Sequence, residues 1–501
     1  MSDGKKPGGK NPGRKKPRPK FAGYKPGEGS VKKRSRPDRG EPSATPEKRS
    51  RPAREKPSAT PEKRSRPARE KPSATPEKRN RPAREKPSAT PEKRSRPARA
   101  DAAPEPRRRL ALSHQGGSTR VHGDSDACDI LREAFETAAN ESADRLTHNI
   151  HGYPARMHPA IARTLLANLS RPDDQLLDPF CGSGTTLVEA RVAGMFAAGV
   201  DLNPLGLRVA EVKTQLRSAQ SRSDFLVQLN DLAMRSEERV RDREPVVAPV
   251  PRHHVRWYAG HILKELGGLW EEIRTVPRED DRRAFELLLS SLVMKFSYRR
   301  SESDDRGVER KLRKGLVTEH FHRRGLGLVE RWAELEEAAP PDSPAPWLVE
   351  GDARRLPRLL GPPARADLVI TSPPYGGTYD YVAHHELRYP WLGLDPQQLE
   401  RYEVGARRNL SSVGAVGRWE RELLEVMRAL AEVMVPRAVA VLLVGDAQLD
   451  GERVAADRQL RDVAERSGFS YIASASQPRP DFTGHGTRQE HLVLLERSGY
   501  G

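Results

Sequence analysis

The residues with the clearest capacity for chemistry come directly after an apolar segment at positions 368–370. They are, in order, Thr371, Ser372, Pro373, Pro374 and Tyr375. Consecutive prolines fix the backbone and lack two N–H donors, so that carbonyl oxygens face the surroundings without competing donors. The Ser372 hydroxyl and the Pro373 carbonyl can then accept the two hydrogen bonds of an amino group. These bonds favour a pyramidal nitrogen that attacks a methyl carbon, and a rigid surface turn is the alternative.

Tyrosines follow the prolines and indicate that the amino group belongs to a flat ring. Tyr375 offers an aromatic face on which a base taken out of its helix can stack. After a pair of glycines, Tyr379 and Tyr381 extend the same loop, with Asp380 between them. We interpret the two later rings as part of a base pocket; the alternative is a glycine-hinged loop that packs them inward.

A second motif, Asp-Pro-Phe-Cys-Gly-Ser-Gly-Thr-Thr, occupies residues 178–186 between an apolar segment and a helical pattern. Gly182 and Gly184 allow the backbone to approach a ligand closely, and the start of the helix offers free N–H groups. The Gly-Lys-Ser/Thr ending of a phosphate-binding loop is missing. The motif predicts a ligand site at the carboxyl ends of parallel strands, and a tight strand-to-helix turn is the alternative.

Two acidic residues follow further predicted strands. Asp201 ends the second strand and can accept hydrogen bonds from both hydroxyls of a ribose; as an alternative it caps the next helix. Asp352 follows the strand that ends at Glu350, where its carboxylate can accept from an adenine amino group or simply belong to a turn.

The elements around these residues predict an α/β fold. A strand at 175–180, a helix at 186–192 and a strand at 197–201 have the spacing of a parallel sheet. Further strands are expected at 347–350, 368–371 and 438–444, and an antiparallel edge pair at 471–473 and 491–495. Helices are expected at 129–144, 257–273, 283–296 and 329–337. The domain boundaries that follow are a tail at 1–125, sheet segments at 126–205 and 346–501, and a helical insertion at 206–345.

The N-terminal tail is built from a 15-residue repeat without large apolar residues, which begins at Arg51, Arg66 and Arg81. Such a unit cannot bury a core, so disorder with polyproline character is expected. Residues 1–109 hold 36 Lys/Arg against 13 Asp/Glu, a net charge of +23, whereas the whole chain carries +18. The tail is therefore either a solvated spacer or a sequence-blind electrostatic tether to nucleic acid.

Composition excludes several classes of protein. Two cysteines rule out a disulfide framework and a cysteine-rich zinc site. No apolar run approaches the length of a membrane span, and the basic N-terminus lacks the apolar stretch of a secretory signal. We therefore expect a cytoplasmic protein, in bacterial-type cytosol or nucleoid, and no metal site.

Taken together, the two motifs resemble those of the S-adenosylmethionine-dependent DNA amino-methyltransferases, which modify cytosine N4 or adenine N6. The resemblance covers residues 149–203 and 347 to the end. It implies a Rossmann-like class I methyltransferase sheet with a helical insertion and a disordered basic N-terminal tail. It also implies a cofactor, S-adenosylmethionine, and catalytic roles for Ser372, Pro373, Pro374 and Tyr375. The cofactor-binding residues would be Tyr153, Pro154, Asp178, Phe180, Gly182, Gly184, Thr185, Asp201, Asp352 and Thr371.

The residue before Pro-Pro-Tyr narrows the target in this family, because Ser or Thr there is typical of cytosine N4 enzymes. Ser372 therefore favours cytosine N4. Adenine N6 in DNA and guanine N2 in RNA stay open as alternatives, as does a non-enzymatic nucleic-acid-binding protein. The expected partner is double-stranded DNA, with RNA as the alternative; a cognate restriction endonuclease and the oligomeric state are left open.

The chain departs from the family where about 150 residues separate Asp201 from Asp352. A short helix would suffice to link two strands, so the insertion is the candidate for target recognition. Its candidate contacts with nucleic acid are Lys295, Arg299 and Arg300, whose residue types bind phosphates, or these belong to a solvated loop. Tyr379 and Tyr381 complete the predicted nucleic-acid contacts.

Overall fold

The structure, a computed structural model, describes residues 118–302, 306–362, 364–480 and 487–499. The repeat tail, and with it the prediction of disorder, falls almost entirely outside the described residues. Within those residues, no helix combines the length and apolarity needed to cross a bilayer.

A mixed eight-stranded sheet forms the centre of the fold. Its strands, with a separate short hairpin of two more, are β1 (Arg120–Gly123), β2 (Leu176–Asp178), β3 (Ala197–Asp201), β4 (Trp347–Glu350), β5 (Ala366–Thr371), β6 (Met434–Gly445), β7 (Ala447–Leu449), β8 (Glu452–Val454), β9 (Phe469–Pro480) and β10 (Thr487–Arg497). The order across the sheet is β1-β9-β10-β6-β5-β2-β3-β4, and β7 pairs with β8 alone.

The strand order confirms the predicted sheet. Strands β4, β3, β2, β5 and β6 run parallel to one another, and β10 returns antiparallel to β6. Without β1 and the short hairpin, the order is 3-2-1-4-5-7-6, in which the first five positions match the doubly wound Rossmann arrangement. From β2 the chain adds strands β3 and β4 on one side, and from β5 it adds β6 on the other, so the strand order reverses between β2 and β5. At such a switch point, sheets of this kind form a crevice at the carboxyl ends of their strands.

The C-terminal antiparallel pair, β9 and β10, does not lie at the edge of the sheet as predicted. Strands β9 and β10 are antiparallel as expected, but β1 pairs with β9 through Arg120 opposite Ser476. The edge of the sheet is therefore β1, and ordered structure begins before Asp126. Four largely polar residues are too few to show a strand periodicity, which is why the sequence did not reveal β1.

Helices cover both faces of the sheet. Those before the insertion are α1 (Ser125–Asn140), α2 (Pro159–Leu169), α3 (Thr185–Val192) and α4 (Pro204–Lys213). Leu176 of β2 packs in one apolar cluster with residues of α1 to α3, whereas its neighbour Leu177 packs in another with residues of the C-terminal helices. This alternation is the consequence of side chains pointing to opposite faces of a strand. The core is thus two apolar layers, one on each side.

Between β3 and β4 the chain is helical. Beyond α4, the helices are α5 (Ala219–Asp242), α6 (Arg252–Val255), α7 (Gly260–Ile273), α8 (Glu279–Val293) and α9 (Leu316–Ala338). Their core is aromatic: Phe225 stacks on Phe285 at 4.2 Å between ring centres and meets Trp332 edge-on at 5.0 Å. Helix α8 also packs on α4, so this layer is joined to the sheet.

The C-terminal half adds α10 (Leu356–Leu360), α11 (Tyr381–His385), α12 (Tyr389–Leu392), α13 (Gln397–Tyr402), α14 (Ala415–Val433) and α15 (Ala456–Glu465). Helix α14 covers the second face of the sheet, and its Trp419 packs beneath Gly376, where an added Cβ would lie 3.0 Å from the indole. Close packing here supports the loop that follows the Pro-Pro pair.

Candidate active site

A cleft with about 770 Å³ of empty space opens at the carboxyl ends of β2, β3, β4 and β5. Each strand contributes a predicted residue to the cleft wall, namely Asp178, Asp201, Asp352 and Ser372. Tyr153, Phe180, Gly182, Thr185, Pro374 and Tyr381 also line it. The two motifs, far apart in sequence, therefore share one cavity.

The glycine loop has the backbone that its sequence predicts. Gly182 and Gly184 have φ values of +48° and +78°, in the left-handed region that favours glycine. A Cβ on Gly184 would lie 2.7 Å from the Cβ of Ala210, so a larger residue has no room. Gly184 precedes the first turn of α3 and does not line the cleft. Its part is to turn the chain so that Thr185 and the helix start face the cavity.

Asp178 is a buried carboxylate at the end of β2. Its Oδ1 accepts hydrogen bonds from the Thr371 hydroxyl at 2.7 Å and from the Phe180 N–H at 3.2 Å. Burial raises the pKa of Asp178 to about 7, although hydrogen bonds from Thr371 and Thr186 oppose the shift. Thr371 itself is fully buried behind Asp178 and does not line the cleft. Its place is that of a positioning residue.

Asp201 is held by backbone donors on both oxygens. Its Oδ2 accepts from the Gly182 N–H at 2.7 Å, and its Oδ1 accepts from the Asn203 N–H at 2.8 Å. Burial raises the pKa of Asp201 to about 6 against these hydrogen bonds. Each carboxylate oxygen has further lone pairs, so ligand hydroxyls can still be accepted. The helix cap proposed as its alternative role belongs instead to Asn203, whose Oδ1 accepts from the Leu205 N–H.

Asp352 lies in the cleft wall but is already bound to a cation. The Arg354 guanidinium donates to both of its carboxylate oxygens at 2.8–3.0 Å, and the Arg354 N–H donates to Oδ1 at 2.9 Å. Arg354 also donates to the Tyr402 carbonyl, which fixes the pair at one end of the cleft. A ligand amino group would therefore meet a carboxylate whose orientation is set in advance.

Some residues of the segment before the glycine loop line the cleft, and others do not. The Tyr153 hydroxyl accepts from the Asn203 side chain at 3.1 Å, and its ring lies 5.1 Å from that of His385 and 5.9 Å from that of Tyr381. Pro154 does not line the cleft, unlike Ala155 and the two residues after it. Of these three rings, Tyr153 and Tyr381 line the cleft together with Ser372.

The Ser-Pro-Pro-Tyr turn is divided in the same way. Ser372 and Pro374 line the cleft, whereas Pro373 and Tyr375 are buried. The Tyr375 hydroxyl donates to Glu490 Oε1 at 2.8 Å, and the guanidinium carbon of Arg479 lies 4.9 Å from the ring centre. A cation thus covers a ring face that was expected to stack on a base. Tyr375 is 4% exposed and anchors the turn on β10 in this structure.

Ion pairs hold the loop that follows the Ser-Pro-Pro-Tyr turn in place. Asp380 caps α11 and pairs with Arg408 at 2.9 Å, and Arg408 also pairs with Glu403 at 2.5 Å. Glu403 lines the cleft and accepts from the Tyr381 N–H at 2.9 Å, and burial raises the pKa of its carboxyl. Tyr379 and Tyr381 are partly exposed, with ring centres 5.6 Å apart. Both remain candidates for base contacts.

One of the predicted nucleic-acid contacts in the insertion is wrong. Arg299 is 4% exposed, pairs with Glu386 at 3.0 Å and lies 4.8 Å from the Trp257 ring centre. A buried cation needs such a partner, so its charge serves the fold and cannot reach a phosphate. Lys295 and Arg300 are exposed, as a phosphate contact requires.

Four residues that contact the site were not predicted from the sequence: Glu490, Arg479, Glu403 and Arg408. Glu490 is fully buried in β10, where the strand register places it opposite Gly445 at the end of β6. Glu490 lies among polar residues just before the apolar run at 492–495, so nothing local in the sequence marked it as buried.

Two further groups of carboxylates and imidazoles bring ligand atoms close together: His253, His254 and Glu386, and Asp446, Asp457 and His491. In each, an arginine already occupies a carboxylate, Arg299 on Glu386 and Arg453 on Asp446. A metal cation would have to compete with these guanidinium groups.

Comparison with known proteins agrees with the geometry. The DNA methylase family of N6 and N4 type matches residues 67–211, which include the glycine loop and Asp201 but end before Ser372. The chain is 27% identical over 281 residues to the type II methyltransferase M.MvaI of Kocuria varians, covering 51% of this chain and 59% of that protein. It is 24% identical over 258 residues to M.BsoBI of Geobacillus stearothermophilus, covering 45% and 48%. The chain therefore spans about half the length of these relatives.

Over a short segment the chain is also similar to a tRNA methyltransferase. A 53-residue segment is 43% identical to the tRNA (guanine(10)-N2)-dimethyltransferase of Methanothermobacter thermautotrophicus, covering 10% of this chain and 16% of that one. Among solved structures, TrmN from Thermus thermophilus is 13% identical with a TM-score of 0.27, covering 73% of this chain and 53% of that one. The rRNA methyltransferase aviRa from Streptomyces viridochromogenes is 15% identical with a TM-score of 0.28, covering 74% and 96%.

The family match and the type II relatives agree with each other. Over residues 67–211 the chain matches the DNA methylase family of N6 and N4 type, and over about half of its length it is similar to type II DNA methyltransferases.

Proposed function

We propose that this protein is a DNA methyltransferase that transfers a methyl group from S-adenosylmethionine to an exocyclic base amine, cytosine N4 in first place. The observation that carries the proposal is that Ser372 opens onto the same cleft as Gly182, Asp201 and Asp352. The proposed acceptor for an amino group and the proposed cofactor site would thus share one cavity.

The residues of the cleft fit the cofactor. Asp201 would accept from the ribose hydroxyls, Asp352 from the adenine amino group, and Gly182 leaves room beside Tyr153, where a Cβ would lie 3.3 Å from the ring. Asp178, buried with a raised pKa, suits a cationic group that returns its carboxyl to the charged form. When bound, S-adenosylmethionine supplies an electrophilic methyl group.

The protein contributes alignment more than chemistry. The Ser372 hydroxyl and the Pro373 carbonyl would accept the two hydrogen bonds of the base amine and hold its lone pair toward the methyl group. Alignment of this kind can contribute roughly 7–11 kcal/mol of barrier reduction. Neither a metal nor a covalent enzyme intermediate is part of this mechanism.

The parts of the chain outside the cleft would deliver DNA to it. We assign target recognition to the helical insertion at 206–345, with Lys295 and Arg300 as candidate phosphate contacts. The basic tail would tether the protein to DNA without reading sequence, because residues 1–109 alone carry a net charge of +23. Double-stranded DNA is thus the proposed partner.

A second candidate is a methyltransferase that acts on guanine or adenine in RNA. The specific observation in its favour is the 53-residue similarity to a tRNA guanine N2 enzyme. Ser372 favours the DNA cytosine assignment, because acidic or amide residues are typical before Pro-Pro-Tyr in the adenine N6 and guanine N2 enzymes.

One experiment separates these candidates. The full chain is incubated with isotopically labelled S-adenosylmethionine and either genomic DNA or total RNA, and the products are digested to nucleosides for mass spectrometry. N4-methylcytosine in DNA is the expected product, and Ser372→Ala serves as the control for background label. Label found only in RNA would replace the proposal with the second candidate, and N6-methyladenine in DNA would correct the target base.

A further inference from the structure

Four cationic or imidazole side chains gather between the end of α8 and the middle of α9. Lys295 lies two residues beyond α8, and its Nζ is 3.0 Å from Nδ1 of His320 on α9. Arg323 contacts the same imidazole, with its Nη2 3.1 Å from Nε2, and Arg324 follows it along the helix. We refer to Lys295, His320, Arg323 and Arg324 as the basic cluster.

One carboxylate, that of Glu319, interacts through its charge with Arg323 and His320 of the basic cluster. Among the residues that the structure describes, no ion pair joins Lys295, Arg323 or Arg324 to an acid. The nearby carboxylate of Glu319 is paired with Arg313. Arg331 of α9, by contrast, pairs with Glu334 on the same helix.

Assembly of these like charges is unfavourable in the free protein. Partial burial, followed by the charges of Arg324 and Arg323, lowers the pKa of Lys295. Burial, Lys295 and Arg323 lower the pKa of His320 to about 4, so that its ring is neutral and accepts from Lys295. Burial, Arg323 and Arg388 lower the pKa of Arg324. A bound anion would oppose the part of these shifts that the neighbouring cations cause.

The cluster also borders the catalytic side of the molecule. The charge of Arg324 acts on His151 and lowers its pKa, after burial and the charge of Arg388. His151 lies two residues before Tyr153, and the ring of His385 stacks on Tyr153 in the cleft wall at 5.1 Å.

We propose that the basic cluster binds a backbone phosphate of the DNA that carries the target base. This inference rests on the proposed function. A phosphodiester is the anion that fits, because it presents several acceptor oxygens to converging N–H donors and arginine and lysine are its usual partners. Lys295 and Arg323 are exposed, which suits a polymer backbone lying across the surface better than a small anion, which would need an enclosing pocket.

The test removes charge from the two exposed members. Lys295→Gln with Arg323→Gln is compared with Arg428→Gln plus Arg437→Gln, which removes two exposed charges from α14 and from the start of β6, at the end of the strand away from Gly445. Both variants keep the full chain and its basic tail, so the contribution of the tail cancels. Binding of a short duplex is measured by fluorescence anisotropy as a function of salt, and steady-state methyl transfer gives KM for DNA and for the cofactor.

The expected result is specific to the cluster variant. Its DNA affinity falls about tenfold at moderate salt, and the slope of log K against log salt decreases by roughly one, the loss of one phosphate contact. KM for the cofactor stays at the wild-type value, and the control variant behaves as wild type. Unchanged DNA affinity and salt slope in the cluster variant, with wild type still methylating DNA, would overturn the phosphate site alone.

Other outcomes distinguish the site from the proposed function. If wild type neither binds nor methylates DNA, both the proposed function and the phosphate site that rests on it are wrong. If the cluster variant loses affinity for duplex RNA while DNA binding is unchanged, the assignment to DNA is wrong. Thermal denaturation of both variants, with and without S-adenosylmethionine, shows whether the fold and cofactor site are intact; a loss of cofactor binding would make the cluster a structural element and contradict the inference.

Discussion

The Thr371 hydroxyl donates a hydrogen bond of 2.7 Å to Asp178 Oδ1 across 193 residues of sequence. The bond joins the last residue of β5 to the last residue of β2, and both side chains are buried. It connects the strand that leads into the amine-binding turn with the strand that leads into the glycine loop. The position of Ser372 relative to the cofactor site is therefore set by one hydrogen bond as well as by the strand pairing.

Replacing Thr371 by Val tests this connection. The change removes the donor but keeps the shape, so the pKa of Asp178 should rise above its present value of about 7. At pH 7 more of the carboxyl is then neutral, and we expect cofactor affinity to fall about tenfold, roughly 1.4 kcal/mol. Calorimetric titration with S-adenosylmethionine measures the loss. Thr371→Ser keeps the hydroxyl and should bind as wild type; equal affinity in the Val variant would show that the bond has no such role.

Cofactor binding should depend on pH between 5 and 8. The pKa values of Asp201 and Asp178 are raised to about 6 and about 7, so both carboxylates gain charge as the pH rises through this range. Since the charged forms accept the cofactor's donors, the Kd should decrease toward pH 8. Titrations at several pH values check this, and a flat profile would argue against these two acids as ligands.

The same shift has the opposite effect on the free protein. A carboxyl with a raised folded-state pKa stabilises the fold below its unfolded pKa of 3.8, and this contribution is lost as the pH rises toward 7. Asp178→Asn has no buried carboxyl to ionise. Its free energy of unfolding relative to wild type should therefore increase as the pH rises from 5 to 8. Denaturant unfolding without cofactor measures the difference. A constant difference across that range would mean that Asp178 has an ordinary pKa.

Ser372→Ala separates catalysis from binding. The hydroxyl that accepts one hydrogen bond of the base amine is lost, so transfer should slow by a factor on the order of 100, in the range of a lost transition-state contact. Cofactor affinity should survive, because Ser372 is not among the proposed cofactor ligands. Single-turnover methylation and calorimetry give the two quantities. Full activity would exclude Ser372 from the mechanism.

Tyr375→Phe should affect stability and turnover together. The fully buried carboxylate of Glu490 loses the hydroxyl that donates to it at 2.8 Å. An acceptor left without this donor costs about 1–3 kcal/mol, measurable by denaturant unfolding. Glu490→Gln keeps an acceptor for Tyr375 and should be milder. Tyr375→Ala, which removes the anchor of the turn altogether, should slow transfer as strongly as Ser372→Ala while the cofactor still binds.

Deletion of residues 1–109 should weaken DNA association and flatten its salt dependence, because a net charge of +23 is removed. The modified base and its sequence context should stay unchanged. Anisotropy across a salt series and mapping of methylated sites test the two statements. A changed recognition sequence after deletion would show that the tail reads bases.

The sequence predicted the cleft far better than its surroundings. The buried strands β2 and β3 are apolar runs that end in the predicted Asp178 and Asp201, so motif and strand reinforce each other. Asp352 follows the partly buried β4 by two residues. The sequence does not show which side chains pair with each other. Nothing local in it reveals that Glu386 forms an ion pair with Arg299, or that Glu490 accepts a hydrogen bond from Tyr375. Such pairs depend on strand register and helix packing, which only the folded chain determines.

The position of β5 between β2 and β6 has a consequence for translation of this protein. When β2 leaves the ribosome, about 190 residues must still be synthesised before β5, its neighbour in the sheet, is complete. At common elongation rates this takes roughly 10–40 s. The insertion can fold early through contacts between neighbouring helices, whereas the cleft can close only after β5 has been synthesised. S-adenosylmethionine is therefore expected to protect the chain only late in its synthesis.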